Sequence, residues 1–198
     1  MSAPATLRLA ELAVVAWRNG GGVARELARD LSDARSPGWR VSIAELEAPG
    51  PFSSFPGLRR HFTVIGDRPV HLDWPDRHVA LPPFESVAFE GDEVVSCRLP
   101  DGVSQALNLI HDPKRWQASL AWFDPATPLM RDLACDTLLV VVTGEARLEA
   151  PSPATLNQGD AWQWDRVGAH AASVSSSVSL EASPRARLIR IDLKPLTT

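Results

Sequence analysis

The sequence carries one strand pattern twice, and this internal repeat limits the chain to folds built from short antiparallel strands. The first copy occupies residues 62–66, 70–72 and 81–89, and the second occupies residues 139–144, 146–148 and 156–164. In each copy a strand ends at a glycine, a second strand follows, and a turn leads into a third strand. We therefore predict two similar jelly-roll barrels in one chain, with general hairpin self-similarity as the alternative.

Most other apolar residues also fall into short segments with period-two or β-branched character. These segments include residues 39–46, 94–99 and 188–193, and the serine-rich residues 173–179 are expected to form a polar-faced strand or hairpin. Helical spacing is persuasive only at residues 23–31, where we predict one short helix. The sequence therefore predicts an all-β fold class.

Composition excludes several classes of function. The 198 residues include 20 Lys and Arg against 24 Asp and Glu, a formal net charge of -4, so no basic field is available for nucleic acid or an anionic membrane. The chain has no Tyr, and neither Lys114 nor Lys194 lies in a phosphate-binding loop, which excludes phenol chemistry and P-loop nucleotide hydrolysis. Cys97 and Cys135 form no CxxC pair, and Glu11 interrupts the apolar run near the start. We therefore expect a cytoplasmic protein without a signal peptide or membrane span.

The histidines lack the spacings of a local metal site. They stand at positions 61, 71, 78, 111 and 170, so no HxH or HExxH pair places two imidazoles on one face of a strand or helix. We therefore expect no metal and no other cofactor. One alternative stays open, a facial triad of His71 and Asp73, which share a strand face, with the distant His111 or His170.

The most unusual string runs from Trp17 to Glu26 and reads WRNGGGVARE. Three consecutive glycines permit positive φ and close approach of the backbone to a neighbour. Asn19, Arg25 and Glu26 add a neutral hydrogen-bonding group, a fixed cation and a carboxylate. The string predicts a polar functional loop. The alternative is a structural turn in which Arg25 and Glu26 pair with each other or with solvent.

A second string, GPFSSFPGLRRH at residues 50–61, combines a stiff aromatic wall with cations. Phe52 and Phe55 stand among prolines, and Arg59 and Arg60 follow at once. A carboxylate entering a low-dielectric pocket needs a cation and hydrogen bonds, and arginine offers a bidentate fork. The string is typical of a pocket for a small carboxylate. Arginine is also the default cation of a chain with 18 Arg and two Lys, so a solvated surface role is the alternative.

These two strings, together with WRVSIA at residues 39–44, resemble the signature blocks of the HutD/Ves family in order and spacing. The resemblance is concentrated in residues 14–72 and fades to pattern level after Asn108. It implies a bicupin, two cupin-like (RmlC-like jelly-roll) barrels without the metal ligands of catalytic cupins. We expect the barrels at residues 1–110 and 111–198, with exchange of strands between them left open. HutD-like members are associated with histidine utilisation, and Ves-like members with stress or cold response.

The family blocks also supply most of a candidate set of ligand-binding residues. The set comprises the cations Arg25, Arg40 and Arg60, the polar residues Asn19, Ser42 and Asn108, and the aromatic residues Trp39, Phe52 and Phe55. Within it, Arg25 and Arg60 are the expected charge partners of the ligand, and Trp39 and Phe52 its apolar wall. Arg59 stands where the family usually has an acidic residue, and an alanine replaces an aspartate two positions before Asn108. Both departures remove negative charge near the expected pocket.

Three functional hypotheses follow. The first is a non-enzymatic protein that binds a small carboxylate, such as urocanate or a formyl-amino acid, and moderates histidine utilisation. The second is a metal-dependent cupin isomerase or oxygenase that uses dispersed His and Asp residues. The third is a stress-response module for protein interaction. We expect no nucleic-acid or membrane partner, and a homodimer is left open.

Overall fold

The computed structural model describes residues 4–17, 20–32, 37–149, 153–167 and 175–196. The strands in this part of the chain are β1 (Ala5–Leu7), β2 (Val14–Ala16), β3 (Gly22–Arg29), β4 (Trp39–Leu46), β5 (Gly50–Pro51), β6 (Arg59–Val64), β7 (Val70–Asp73), β8 (His78–Leu81), β9 (Ser86–Glu90), β10 (Ser96–Arg98), β11 (Ser104–His111), β12 (Trp116–Phe123), β13 (Leu129–Asp132), β14 (Asp136–Thr143), β15 (Glu145–Leu148), β16 (Ala154–Asn157), β17 (Ala161–Trp164), β18 (Ser175–Val178), β19 (Leu180–Ala182) and β20 (Arg187–Pro195). The helical structure of the described residues is limited to a 3₁₀ turn at Leu9–Glu11, and none of it is long and apolar enough to cross a membrane. The prediction of an all-β chain is confirmed.

The chain divides into two compact units. Leu12–Pro113 forms the N-terminal unit. The described residues before Leu12 join those after Pro113 in the C-terminal unit. In that unit β1 pairs with β17, with Thr6 opposite Trp162. A strand from the start of the sequence therefore completes a sheet formed by the end of it.

The internal repeat corresponds to the same strand pairing in both units. In the N-terminal unit β6 pairs with β9, and β7 pairs with β8. In the C-terminal unit β14 pairs with β17, and β15 pairs with β16. Gly66 follows β6 and Gly144 follows β14, at the same place in each copy. In each unit the inner hairpin lies, in sequence, between the two strands of the outer pair. Two copies of one sequence pattern thus form two antiparallel arrangements of the jelly-roll type.

The N-terminal unit consists of a six-stranded antiparallel sheet, β2-β3-β4-β11-β6-β9, and a four-stranded sheet, β5-β10-β7-β8. Side chains alternate between the two faces of each strand. Ser42 on β4 lies opposite Asn108 on β11, and Arg60 on β6 lies opposite the residue two positions further along β11. These polar side chains share one face of the sheet. The other face carries apolar residues such as Val41, which is fully buried.

An apolar core joins the two sheets of the N-terminal unit. Phe62 and Val64 from the six-stranded sheet and Val70 and Leu72 from the four-stranded sheet belong to one cluster and are all fully buried. Cys97, a free thiol on β10, is buried in the same cluster. Removal of this apolar surface from water is the main source of stability for the unit. Because Arg60, Phe62 and Val64 are two positions apart along β6, this core lies on the same face of the sheet as the polar side chains.

Most of the predicted short helix at residues 23–31 is instead part of strand β3, which ends at Arg29. Strand β3 pairs with β4, and a β-bulge lies between Glu26 and Ala28. Because of the bulge, the neighbours Leu27 and Ala28 are both buried. The bulge interrupts the period-two pattern. The apolar residues of this segment are therefore spaced as in a helix, which is why the helix prediction was wrong.

In the C-terminal unit, the five-stranded sheet β1-β17-β14-β20-β12 is accompanied by the smaller sheets β16-β15-β19 and β13-β18. Trp162 and Trp164 project from β17 into an apolar core that also contains Leu139 and Leu148. All four side chains are almost completely buried. The two tryptophans occupy the repeat positions of Val87 and Phe89 and support the second barrel by packing.

The glycine-rich string allows β3 to approach β4 closely, and this predicts a steep loss of stability on substitution. A Cβ atom at Gly22 would lie 2.0 Å from the carbonyl oxygen of Glu45, whereas one at Gly20 would meet nothing within 4 Å. We expect Gly22→Ala to lower the free energy of unfolding by about 3 kcal/mol. Gly20→Ala, where φ is +70°, should lower it by about 1 kcal/mol. Urea unfolding measures both, and equal losses would contradict the steric role of Gly22.

Candidate functional site

A cavity of about 540 Å³ lies in the N-terminal unit, against the polar face of the six-stranded sheet. It is lined by Val15, Ala16, Trp17, Ala24, Glu26, Arg40, Ser42, Ala44, Pro51, Phe52, Ser53, Phe55, Arg60, Asn108 and Ile110. The charged residues in this lining, as far as the chain is described, are Glu26, Arg40 and Arg60. The combination of an apolar wall and a few polar groups is that of a small-molecule site.

Arg60 is a buried cation in this cavity and is only 6% exposed. Its Nε and Nη2 atoms donate hydrogen bonds to Oδ1 of Asn108 at 2.9 and 2.6 Å. The Asn108 side chain is itself buried, so the two residues partly satisfy each other away from water. A guanidinium has more N–H donors than these two, and the others are available to a ligand.

Within the described part of the chain, no carboxylate forms an ion pair with Arg60. Among the described residues, its side-chain hydrogen bonds are those to Asn108, and it forms no ion pair. Burial, and then the nearby charge of Arg40, lowers the pKa of Arg60 to about 9. The guanidinium is therefore still charged at neutral pH. A buried charge without a counter-ion is energetically unfavourable, so the site favours an anion.

Phenylalanine rings surround the Arg60 guanidinium where an acidic partner would otherwise be expected. Its Cζ atom lies 4.0 Å from the ring centroid of Phe52, 5.5 Å from that of Phe62 and 5.7 Å from that of Phe89. Each contact is a cation–π interaction. The rings also exclude water, and attraction between charges is stronger in such surroundings.

Arg40 is a second cation in the cavity. Its Cζ atom lies 4.5 Å from the ring centroid of Phe55. Desolvation lowers the pKa of Arg40, and the nearby Glu26 carboxylate opposes this shift. Arg40 also forms no ion pair within the described part of the chain. The described lining residues thus contribute two positive charges against one negative charge, which makes the cavity electropositive.

Six of the predicted binding residues are brought together in this cavity. They are Arg40, Ser42, Phe52, Phe55, Arg60 and Asn108. Strand alternation places Arg40 and Ser42 on the same face of β4, and the register with β11 adds Asn108. The 50–61 string supplies the phenylalanine wall and leads directly into β6.

Trp39 and Arg25 do not line the cavity, and the expectations for them are corrected. Trp39 precedes Arg40 on β4, so its side chain takes the other face of the sheet, where it is 2% exposed. Arg25 precedes Glu26 on β3 and forms an ion pair with Glu45, which also lies on the other face.

Other residues take the roles expected of these two. Arg40 is the second cation in place of Arg25, and Trp17 joins the aromatic wall in place of Trp39. The Trp17 and Phe52 rings meet edge to face, with centroids 6.4 Å apart. The predicted hydrogen-bonding residue Asn19 lies outside the described residues.

Glu26 is a charged lining residue that the predicted set lacked. The signal for it was the alternation along β3, since Ala24 and Glu26 are two positions apart and both line the cavity. The neighbouring Arg25 was predicted instead, because arginine is the expected partner of a carboxylate ligand. Only the orientation of β3 decides which of the two faces inward.

The described residues do not assemble the alternative metal triad of His71, Asp73 and His111. His71 and Asp73 lie on β7, and Arg98 donates hydrogen bonds to Asp73 at 2.6 and 3.0 Å. His111 lies on β11, in the other sheet of the unit. No group of three His, Cys, Asp or Glu side chains in the described residues is arranged to hold a metal ion. His170 lies outside the described residues.

Comparison with known proteins identifies the family. The sequence model of the HutD family matches residues 9–181. The chain belongs to the HutD family. A relative from Pseudomonas putida, described as an uncharacterized 21.2 kDa protein in the hutC 3' region, is 40% identical over 133 residues, which cover 65% of this chain and 69% of that protein.

Solved structures agree with this family. HutD from Pseudomonas fluorescens SBW25, determined in a formate condition, matches with a TM-score of 0.83 and 31% identity over 98% of this chain and 100% of that one. A conserved protein of unknown function from Pseudomonas aeruginosa PAO1 matches with a TM-score of 0.84 and 28% identity over the same shares, 98% and 100%. A cupin 2 conserved barrel domain protein from Leptotrichia buccalis shares the fold alone, with a TM-score of 0.57 and 10% identity over 87% and 88% of the two chains. The HutD resemblance and the predicted cupin-like fold are therefore confirmed.

A histidine pair on the sheet face opposite Arg60, in which His111 is buried and His61 half-buried, predicts a loss of stability in mild acid. The rings of His61 and His111 stack with centroids 5.4 Å apart. Burial, and then the charges of His61 and Arg59, lower the pKa of His111 to about 4. An unfolded histidine has a pKa of about 6.5, so the unfolded state takes up the proton first as the pH falls. Stability is therefore lost between about pH 6.5 and pH 4.

We expect His111→Gln to reduce this loss by about 2 kcal/mol between pH 7 and pH 4.5. Urea unfolding at the two pH values gives the difference for the wild type and the variant. Between pH 7 and pH 8.5 both histidines are neutral, so the difference in free energy of unfolding between the wild type and the variant should stay constant. An equal loss in acid for both proteins would contradict the assignment to His111.

The charge of Arg60, which has no acidic partner among the described residues, predicts that the site lowers the stability of the fold. We expect the double variant Arg60→Met, Asn108→Leu to be more stable than the wild type, with a free energy of unfolding that is higher by about 1–2 kcal/mol. The reason is that it removes a buried cation and its acceptor together. Arg60→Met alone should gain less, since it leaves the Asn108 amide buried without its partner. Chemical denaturation compares the three proteins. A clear loss of stability in the double variant would show that the guanidinium is needed for folding.

Proposed function

We propose that the N-terminal unit binds a small carboxylate at Arg60 and that the protein thereby moderates histidine utilisation in the cytoplasm. The observation that carries this proposal is the buried Arg60 guanidinium, which has no acidic partner among the described residues. A bound carboxylate would provide the missing counter-ion. Its own desolvation would be offset by the charge and by the remaining N–H donors.

The surroundings of Arg60 favour a planar anion. A carboxylate can accept two parallel hydrogen bonds from one guanidinium. Asn108 accepts from both Nε and Nη2 and so fixes the plane of the group before a ligand arrives. A cation held in this way loses less entropy on binding than a mobile one. Because the Phe52 ring covers one side of the guanidinium at 4.0 Å, the ligand is expected to approach in its plane.

The link to histidine utilisation rests on family membership. The Pseudomonas putida relative is described by its place in the hutC 3' region, and the chain is a member of the HutD family. Urocanate and formyl-amino acids are small carboxylates of this pathway and suit a cavity of about 540 Å³. The proposal assigns a binding role and no reaction, because the cavity's charged groups are suited to holding an anion.

Matched arginine variants test the proposal. We expect at least one of urocanate, formate and N-formylglutamate to bind the wild-type protein in isothermal titration calorimetry. Arg60→Met should weaken that binding about 10- to 100-fold, the effect of losing a charged hydrogen-bonding partner. Arg25→Ala removes an arginine that lies outside the cavity and should change the affinity less than twofold. Equal affinities for wild type and Arg60→Met would remove Arg60 from the site, and no heat with any of the three acids would refute carboxylate binding.

A further inference from the structure

Glu26 is an acidic lining residue of the cavity that carboxylate binding leaves without a role. Its Oε1 atom lies 3.5 Å from Nε of Arg29, in a pair whose side chains are 41% and 47% exposed. Exposed ion pairs of this kind contribute little to stability. The second oxygen, Oε2, makes no hydrogen bond within the described residues. Glu26 therefore has an acceptor to offer to a ligand.

Strand register fixes where Glu26 stands relative to Arg60. Glu26 lies opposite Ser42, and Ser42 lies opposite Asn108. Glu26 and Asn108 thus line the same cavity two strand spacings apart, about 10 Å between their Cα atoms. Arg60 is hydrogen-bonded to Asn108. A ligand whose carboxylate is bound at Arg60 can reach Glu26 only if its other end extends past Ser42.

The charges of the cavity indicate what that other end carries. Among the described lining residues, Arg40 and Arg60 against Glu26 leave one positive charge in excess, which a single carboxylate neutralises. A cationic group on the ligand next to Glu26 would bring the excess positive charge back, close to Arg40. An ionised carboxylate accepts hydrogen bonds and donates none, so a neutral N–H donor fits both the charge and the chemistry of Glu26.

We infer that Glu26 forms a second subsite, which accepts a hydrogen bond from a neutral N–H group at the end of the ligand remote from its carboxylate. The inference rests on the proposed function, since it takes Arg60 as the carboxylate site. It narrows the ligand class to monocarboxylates that carry an amide or azole N–H several bonds from the carboxyl group. Acids with the N–H on the carbon next to the carboxyl group are too short to reach both residues.

Two pairs of synthetic acids test this subsite by calorimetry. 4-Acetamidobutyrate and 4-acetoxybutyrate have the same length and differ by one N–H, which the ester replaces with oxygen. We expect the wild-type protein to bind the amide about tenfold more tightly than the ester. N-Acetylglycine and acetoxyacetate form the matched short pair, and for them we expect no preference.

Two glutamate variants assign the preference to Glu26. In Glu26→Ala the tenfold preference for the long amide should fall below twofold. The ratio of the two affinities is compared because the lost charge affects both acids alike. Glu47→Ala removes an exposed carboxylate outside the cavity lining and should retain the full preference.

The outcomes separate this inference from the proposed function. Equal binding of the long amide and ester, with both weakened by Arg60→Met, would refute the second subsite and leave the carboxylate site standing. A preference that persists in Glu26→Ala would also refute it. No binding of either long acid, nor of urocanate, formate or N-formylglutamate, would refute the carboxylate site and the subsite with it.

Discussion

The functional unit depends on a buried guanidinium that has no acidic partner in the described chain. Arg60 is held by Asn108 and by the faces of phenylalanine rings, so its position is fixed while its charge stays unbalanced. Within the N-terminal unit, the apolar core holds β6 and β11 side by side, and this pairing brings Arg60 next to Asn108. Stability therefore comes from apolar packing, and the polar residues on the same face of the sheet are available for binding.

Strand alternation puts the cavity residues on one face of the six-stranded sheet and a second set of buried residues on the other. Along β4, Val41 is fully buried, while Arg40 and Ser42 line the cavity. The same alternation puts the His61 and His111 rings on the face opposite Arg60, where burial lowers their pKa values. One sheet thus carries an anion site on one face and groups that must stay neutral on the other. The repeated strand pairing shows that the C-terminal unit uses the same scaffold without requiring the same site.

Local sequence patterns predict much of this arrangement, and the remaining features depend on how the strands are paired and oriented. Short alternating segments predicted an all-β chain, and the repeat predicted two barrels, because strand period and turn glycines are local properties. The 50–61 string predicted the Phe52 wall and Arg60. Trp39 was assigned to the same site as Arg40, which alternation along a strand forbids. The choice between Arg25 and Glu26 required the orientation of β3 and the position of its bulge, which single-sequence patterns do not contain.

The central claim is that a carboxylate binds to Arg60, and side-chain nuclear magnetic resonance tests it most directly. The Nε–Hε signal of Arg60 is assigned as the one that disappears in Arg60→Met, and the signal of Arg25 is assigned in the same way from Arg25→Ala. Titration with sodium formate should shift the Arg60 signal in a saturable way and leave that of Arg25 in place. An unchanged Arg60 signal throughout the titration, or equal shifts of both signals, would contradict the account.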